Sequence, residues 1–129
     1  MFYNPDIAKL LLRLSVAIMM LFHGAEKIIN GIGGVKHLTV KAGLPEFFAY
    51  GVYVGEVIVP IFILFGLYAR VASLFLALNM LMAIFLAHGG SLFSLGKHGA
   101  PVIELPFFYL VLSIAIFLLG SGKYALNRK

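Results

Sequence analysis

Glu56 interrupts an apolar run from about Phe47 to Leu67. If that run crosses a bilayer, an ionised carboxylate there costs at least ~2 to 3 kcal/mol, so it should face other helices and have a partner. Arg13, in an earlier apolar run, is the one Arg or Lys at comparable depth. Such a pair either fixes how two helices dock or offers a proton-accepting carboxylate, or a polar anchor for a headgroup or quinone carbonyl. Asn79 could complete this inner group through hydrogen bonds to Glu56 or Arg13, or serve only as packing glue. Pro60 lacks the amide that would bond the Glu56 carbonyl, and Gly51 and Gly55 allow another helix to approach closely.

A second set of polar residues closes the first apolar run. His23, Glu26 and Lys27 sit at i, i+3 and i+4 and share a helix face. An imidazole beside a carboxylate can pass a proton near neutral pH. The plainer reading is that they wet a helix end while Lys27 snorkels to lipid phosphate. His88, His98 and Glu104 would join them on the same outer rim. No two histidines lie at i, i+4 and no Glu-x-x-His occurs, so no metal site is expected. Haem is not expected either, because Asn79 and His88, nine residues apart, fall on opposite helix faces.

The elements that must hold these residues follow from composition. Of 129 residues 62% are apolar, with only ten basic and five acidic side chains, and the mean hydropathy is +1.04. A soluble domain of this length has too little interior for that much hydrocarbon. Apolar stretches at about 7–29, 47–67, 71–88 and 103–119 each approach the ~20 residues needed to cross ~30 Å. Lipid cannot satisfy an open strand edge, and barrel-type alternation is lacking, so the expected fold is all-α: an integral membrane four-helix bundle in one domain over 1–129. No small-residue cleavage site follows Phe22, so the first stretch is read as a helix rather than a signal peptide. The absence of cysteine excludes thiol relays, disulfides and iron-sulfur clusters within the chain.

An even number of spans puts both termini on one side. Lys9, Arg13, Arg70, Lys123, Arg128 and Lys129 then oppose Lys27, Lys36, Lys41 and Lys97, which favours cytoplasmic termini. The basic residues form no stripe, so lipid headgroups rather than nucleic acid are the expected partner. On this topology Arg13, Glu56 and Asn79 lie between the cytoplasmic end and the midplane, and the other polar residues lie at the outer end. The outer loop after Asn30 has room for a short helix around Val35 to Ala42. His23-Gly24 and His88-Gly89, with the two Lys-x-Gly-x-Pro segments at Lys41 and Lys97, suggest a parallel two-helix repeat.

The segments "LLRLSVAIMMLFHGAEKI", "GLPEFFAYGVYVGEVIVPIFILFGLYARVASLFLALNMLMAIFLAH" and "ELPFFYLVLSIAIFLLGSGKYAL" resemble the DoxX family of small four-helix bacterial membrane proteins. The resemblance rests on an ordered set covering nearly the whole chain: Arg13, His23-Gly24, Lys27, Gly55-Glu56, Gly66, Arg70, Glu104 and the Gly120 to Tyr124 close. It implies a prokaryotic cytoplasmic membrane and a link to oxidoreductase systems. Relatives include the quinone-linked membrane subunit of thiosulfate oxidation and proteins grouped with enzymes of sulfur and oxidative stress. The expectation is therefore a membrane subunit that holds a quinone, or relays protons, for a soluble or membrane partner enzyme. Glu56, Arg13, His23 and Glu26 are the candidate catalytic residues, and Asn79, His98 and Glu104 the candidate polar ligands of the quinone. Two rivals use the same residues: an assembly protein in which they are helix glue, and a small carrier with Glu56 as its ion site. A homo-oligomer is expected for transport, since four short helices leave little room for a pore.

Overall fold

The computed structural model describes residues 3–88, 95, 99 and 103–127. The described chain is helical, with no strand, in five elements: α1 Pro5–Asn30, α2 Gly33–Lys41, α3 Glu46–Phe65, α4 Ala69–His88 and α5 Glu104–Leu119. The four long helices start and stop within two residues of the apolar stretches in the sequence. The short helix expected in the first loop is α2.

α1, α3 and α4 are long and apolar enough to cross a membrane. At 1.5 Å per residue the 26 residues of α1 span about 39 Å, and the 16 residues of α5 about 24 Å. α1 packs against α3 and α5, α3 against α4, and α4 against α5, while α2 folds back over α3 and α4. Hydrogen bonding fixes the ends of the elements. The Asn4 side chain accepts from the Ile7 N–H at 3.1 Å with Pro5 in the first turn, an N-cap that uses proline where its missing amide costs nothing. α3 ends at Gly66 in the left-handed region (φ 68°), where a Cβ would overlap Ala125 and the Arg13 guanidinium.

Side chains are sorted as expected for a protein dissolved in lipid. Phe22, Phe75, Phe85, Val111 and Leu118 point outward, whereas Arg13, Glu56, Ser73, Ser113 and Ser121 are buried. The core between the helices is built from Val16, Ala17 and Met20 of α1, Val59 and Ile63 of α3, Leu76 and Met80 of α4, and Tyr109 and Ile116 of α5. The buried hydroxyls of Ser73 and Ser113 donate to carbonyls of their own helices, Arg70 at 2.9 Å and Tyr109 at 2.6 Å.

α3 is not a uniform helix. It begins with a 3₁₀ turn over Glu46–Tyr50 and widens to a π turn over Val54–Ile58, in which the Val59 N–H reaches back to the Val54 carbonyl. Pro60 follows at the point where a regular helix would need an amide for the Glu56 carbonyl. α1 meets α3 here: a Cβ on Gly24 would run into that carbonyl and the Val57 side chain, so only glycine lets the two backbones approach this closely. On the far side of the same turn, Gly55 is pressed against the Asn79 amide group of α4.

Gly24→Ala forces the α1–α3 contact apart and should destabilise the folded protein by about 1–3 kcal/mol, the usual cost of overpacking. Gly33→Ala, which meets nothing within 4 Å, should leave stability unchanged. Reversible denaturation of the two variants in one detergent or lipid checks both outcomes.

Candidate functional site

The π turn puts Glu56 on the inside of the molecule. Its side chain is 8% exposed, and Oε2 has no hydrogen-bond partner among the described residues. The carboxylate opens into a cleft of about 570 Å³ between α3 and α4, roofed by Val35, Leu38 and Thr39 of α2. Its walls are mostly apolar, with Lys27, Thr39, Glu56 and Asn79 as the polar side chains. Size and lining are those of a small-molecule site: apolar walls with a few convergent polar groups.

Electrostatically the carboxylate is not isolated. The Lys27 ammonium attracts it and the Glu26 carboxylate repels it. Lys27 Nζ is itself paired to Glu26 Oε2 at 3.0 Å, and Asn30 Nδ2 donates to Glu26 Oε1 at 3.3 Å. Glu26 is half exposed while Lys27 is mostly covered, so this pair runs from the cleft to the surface. The Tyr53 hydroxyl donates weakly to the Lys27 carbonyl at 3.4 Å, bracing the end of α1 against α3. His23 turns toward α5, its ring edge-on to Tyr109 with centroids 5.7 Å apart. Thr39, buried in α2, donates to the Val35 carbonyl at 2.7 Å and so faces the cleft mainly with its methyl group and acceptor lone pairs. At the roof, Lys36 bridges Glu46 at 3.6 Å and lies 4.9 Å over the Tyr50 ring. Contact with the Tyr50 side chain holds the Lys36 ammonium above the ordinary lysine value.

Arg13 does not pair with Glu56. Its Nη1 donates to the Ser121 and Tyr124 carbonyls at 2.9 and 3.0 Å, and Nη2 donates to the Tyr124 carbonyl at 2.8 Å. The guanidinium is 1% exposed. It staples the segment after α5 across the end of the molecule that carries both termini. Lys123 N–H donates to Asp6 Oδ1 at 3.2 Å in the same place, and Leu126 and Asn127 N–H donate to the Phe65 and Gly66 carbonyls. The reason for the correction is axial position. Glu56 lies opposite Gly24 and Arg13 opposite Gly66, and eleven residues of α1 separate those levels by about 16 Å. The inner group expected from the sequence therefore divides: Glu56 and Asn79 join Lys27 near the α2 end, and Arg13 stays at the terminal end.

The remaining candidates scatter. Glu104 is exposed in the first turn of α5 and is not among the cleft-lining residues. His98 lies outside the described residues, as does the side chain of His88. Sequence reasoning gave Lys27 a role at the surface, whereas it lines the cleft; Tyr109 meets His23 in the interior. Thr39 went unremarked, and nothing short of the folding of α2 over the cleft could have found it. For Lys27 a signal existed: it sits one helical turn beyond His23 and next to Gly24.

All four polar cleft residues fall in the part of the chain that comparison with known proteins marks out. The DoxX family model matches residues 8–89, from the first turn of α1 to the end of α4. The chain belongs to the DoxX family. A relative from Bacillus subtilis (strain 168), named "Putative oxidoreductase CatD", is 31% identical over 125 residues, covering 95% of this chain and 86% of the relative. No solved structure matches this DoxX protein. α5 and the Arg13-bound tail lie beyond the family match. Family membership and three long apolar helices identify a membrane protein.

Arg13→Ala removes three charge-assisted hydrogen bonds from the terminal segment. Amide hydrogen exchange over residues 121–127 should accelerate roughly ten- to a hundredfold, given about 1.5–3 kcal/mol for a bond to a charged group. Arg13→Lys should recover only part of the protection, because an ammonium cannot span both carbonyls as a planar fork does. Glu56→Gln should leave exchange in this segment at the wild-type rate.

Proposed function

We propose that this DoxX protein is the membrane-embedded component of an oxidoreductase system and that its cleft receives the ring of a quinone beside Glu56. In this reading α5 completes a fourth crossing of a prokaryotic cytoplasmic membrane, with both termini on the cytoplasmic side and the α2 roof outside. The observation that carries the proposal is the buried Glu56 Oε2 without a hydrogen-bond partner, opening into a largely apolar cleft. An oxygen left unsatisfied in a low-dielectric site is costly unless something there meets it. A ring with hydroxyl or carbonyl groups fits that demand, and the apolar walls fit the rest of the ring.

A quinone, when bound, supplies a two-electron, two-proton carrier soluble in hydrocarbon. The chain's own residues then have separable tasks. The Glu56 carboxyl group exchanges a proton with the ring oxygen that it faces. The Asn79 amide, set against Gly55 of the same turn, offers a hydrogen bond that orients the ring. Lys27 offsets negative charge in the cleft, and its pairing with half-exposed Glu26 carries protons between cleft and surface. His23, against Tyr109, is a second proton-handling group on that rim. The roof formed by α2, held by Lys36, Glu46 and Tyr50, keeps water from the ring. Electrons come from a partner enzyme, since the chain has no cysteine and no nucleotide-binding fingerprint. The name of the Bacillus subtilis relative supports the oxidoreductase class.

Glu56→Gln preserves shape and removes the ionisable group. In reconstituted protein it should weaken quinone binding roughly tenfold or more, the scale of one lost charge-assisted hydrogen bond, with an unchanged thermal midpoint. Binding can be read from equilibrium dialysis or fluorescence quenching in lipid nanodiscs. Equal binding by wild type and variant would remove Glu56 from the site, and loss of folding without a binding defect would assign it to helix docking.

A further inference from the structure

Charge is shared unequally between the two ends of the bundle. Glu26, Glu46, Glu56 and Glu104 belong to the α2 end, and Asp6 is the one acidic side chain at the terminal end. Lys9, Arg13, Arg70 and Lys123 crowd that terminal end. Lys27 and Lys36 at the α2 end are each paired with a carboxylate, whereas no ion pair forms at the terminal end among the described residues. Asp6 accepts instead from the Lys123 backbone N–H.

The unpaired cations meet at one turn. Gly122 packs on Lys9 so closely that a Cβ there would lie 3.1 Å from the Lys9 Cβ, and Gly120 faces the Arg70 Cδ. Arg70 Nε donates to the Phe117 carbonyl at 2.9 Å while its guanidinium carbon lies 4.9 Å from the centre of the Phe117 ring, so the plane of the fork is fixed. Its two Nη groups, and the ammonium groups of Lys9 and Lys123, have no hydrogen-bond partner among the described residues. Beneath the turn Arg13 adds a buried positive charge met only by carbonyls, with its Nε and the buried Ser121 hydroxyl left unsatisfied. Lys9 is one helical turn inside the start of α1, about 6 Å. Exposed Ile7, Leu11, Leu118 and Leu126 flank these residues in the chain, so the cations stand where a hydrocarbon-facing surface gives way to the headgroup layer.

We infer that the Gly120–Lys123 turn, between Lys9 and Arg70, is a binding site for the phosphate of an anionic phospholipid headgroup. The Arg70 fork can donate to two phosphate oxygens at once, and the two lysines add point charges beside it. An acidic protein surface would answer the same charge, but the flanking apolar side chains put the cluster at the edge of the hydrocarbon, where lipid is the neighbour. A phosphate held there places negative charge over Arg13 and clamps the tail onto the end of the bundle. The inference is independent of what occupies the cleft at the other end.

The test compares the full-length protein in nanodiscs of phosphatidylcholine with the same protein in nanodiscs that also contain phosphatidylglycerol. For each variant the ratio of amide exchange rates over residues 121–127 in the two lipids is read, so that any general loosening by the substitution cancels. In wild type, phosphatidylglycerol should slow exchange roughly tenfold, the scale set by a pair of basic side chains at an anionic surface. Native mass spectrometry should show it retained in preference to phosphatidylcholine. Arg70→Gln and Lys9→Gln should each remove most of both effects, and Lys41→Gln, at the α2 end, should leave both unchanged. Equal exchange of wild type in the two lipids, or a loss in Lys41→Gln as full as in Lys9→Gln, would overturn the site. Protection by inorganic phosphate in phosphatidylcholine alone would give the turn to a free anion, and protection only with a co-purified protein would give it to an acidic partner; either result would overturn the lipid assignment.

Discussion

Hydrocarbon offers no hydrogen bonds, and this constraint orders the whole molecule. A polar group on a membrane helix must be satisfied by protein or stay unsatisfied at a cost. The two deepest charged residues show both outcomes. Arg13 is enclosed by backbone carbonyls of the terminal segment, which turn a buried cation into a staple joining α1 to the chain beyond α5. Glu56 is enclosed by apolar side chains and a cleft, with one oxygen left over. The first staples α1 to the tail, with Nε alone left over. The second borders the cleft between α3 and α4.

What places the second is the local geometry of α3. A regular helix continued through Glu56 would leave its carbonyl facing the ring of Pro60. The π turn absorbs that misfit, and Gly24 of α1 closes over the freed carbonyl. Gly55 on the opposite side admits Asn79 of α4. One irregular turn therefore sets the α1–α3 and α3–α4 contacts together and aims the carboxylate into the space between helices. π turns recur at functional sites for this reason: they displace a side chain from the helical register without breaking the helix.

The polar residues divide between the two ends of the bundle. At the terminal end Asp6, Arg13, Gly66 and the 121–127 segment interlock through hydrogen bonds. At the other end Lys27, Asn79 and the α2 roof line the cleft beside Glu56, with Glu26 paired to Lys27 and His23 set against Tyr109. About 16 Å of α1 lies between the levels of Arg13 and Glu56.

Much of this was written in the chain itself. Apolar runs of the right length fixed the helices, since a backbone in lipid must bond within its own segment. Gly55 and Pro60 marked the turn around Glu56 as a place of close approach, whereas Gly51, expected to share that role, meets nothing within 4 Å. The rarity of charge marked Glu56 and Arg13 as residues needing company. What the sequence left open was which company, because the axial level of one helix against another depends on loop lengths, the overhang of α1 and the packing at Gly24. The choice of tail carbonyls for Arg13 and the gathering of Lys27, Thr39 and Asn79 around Glu56 arise from contacts between residues far apart in sequence. Those contacts exist only once the helices are docked.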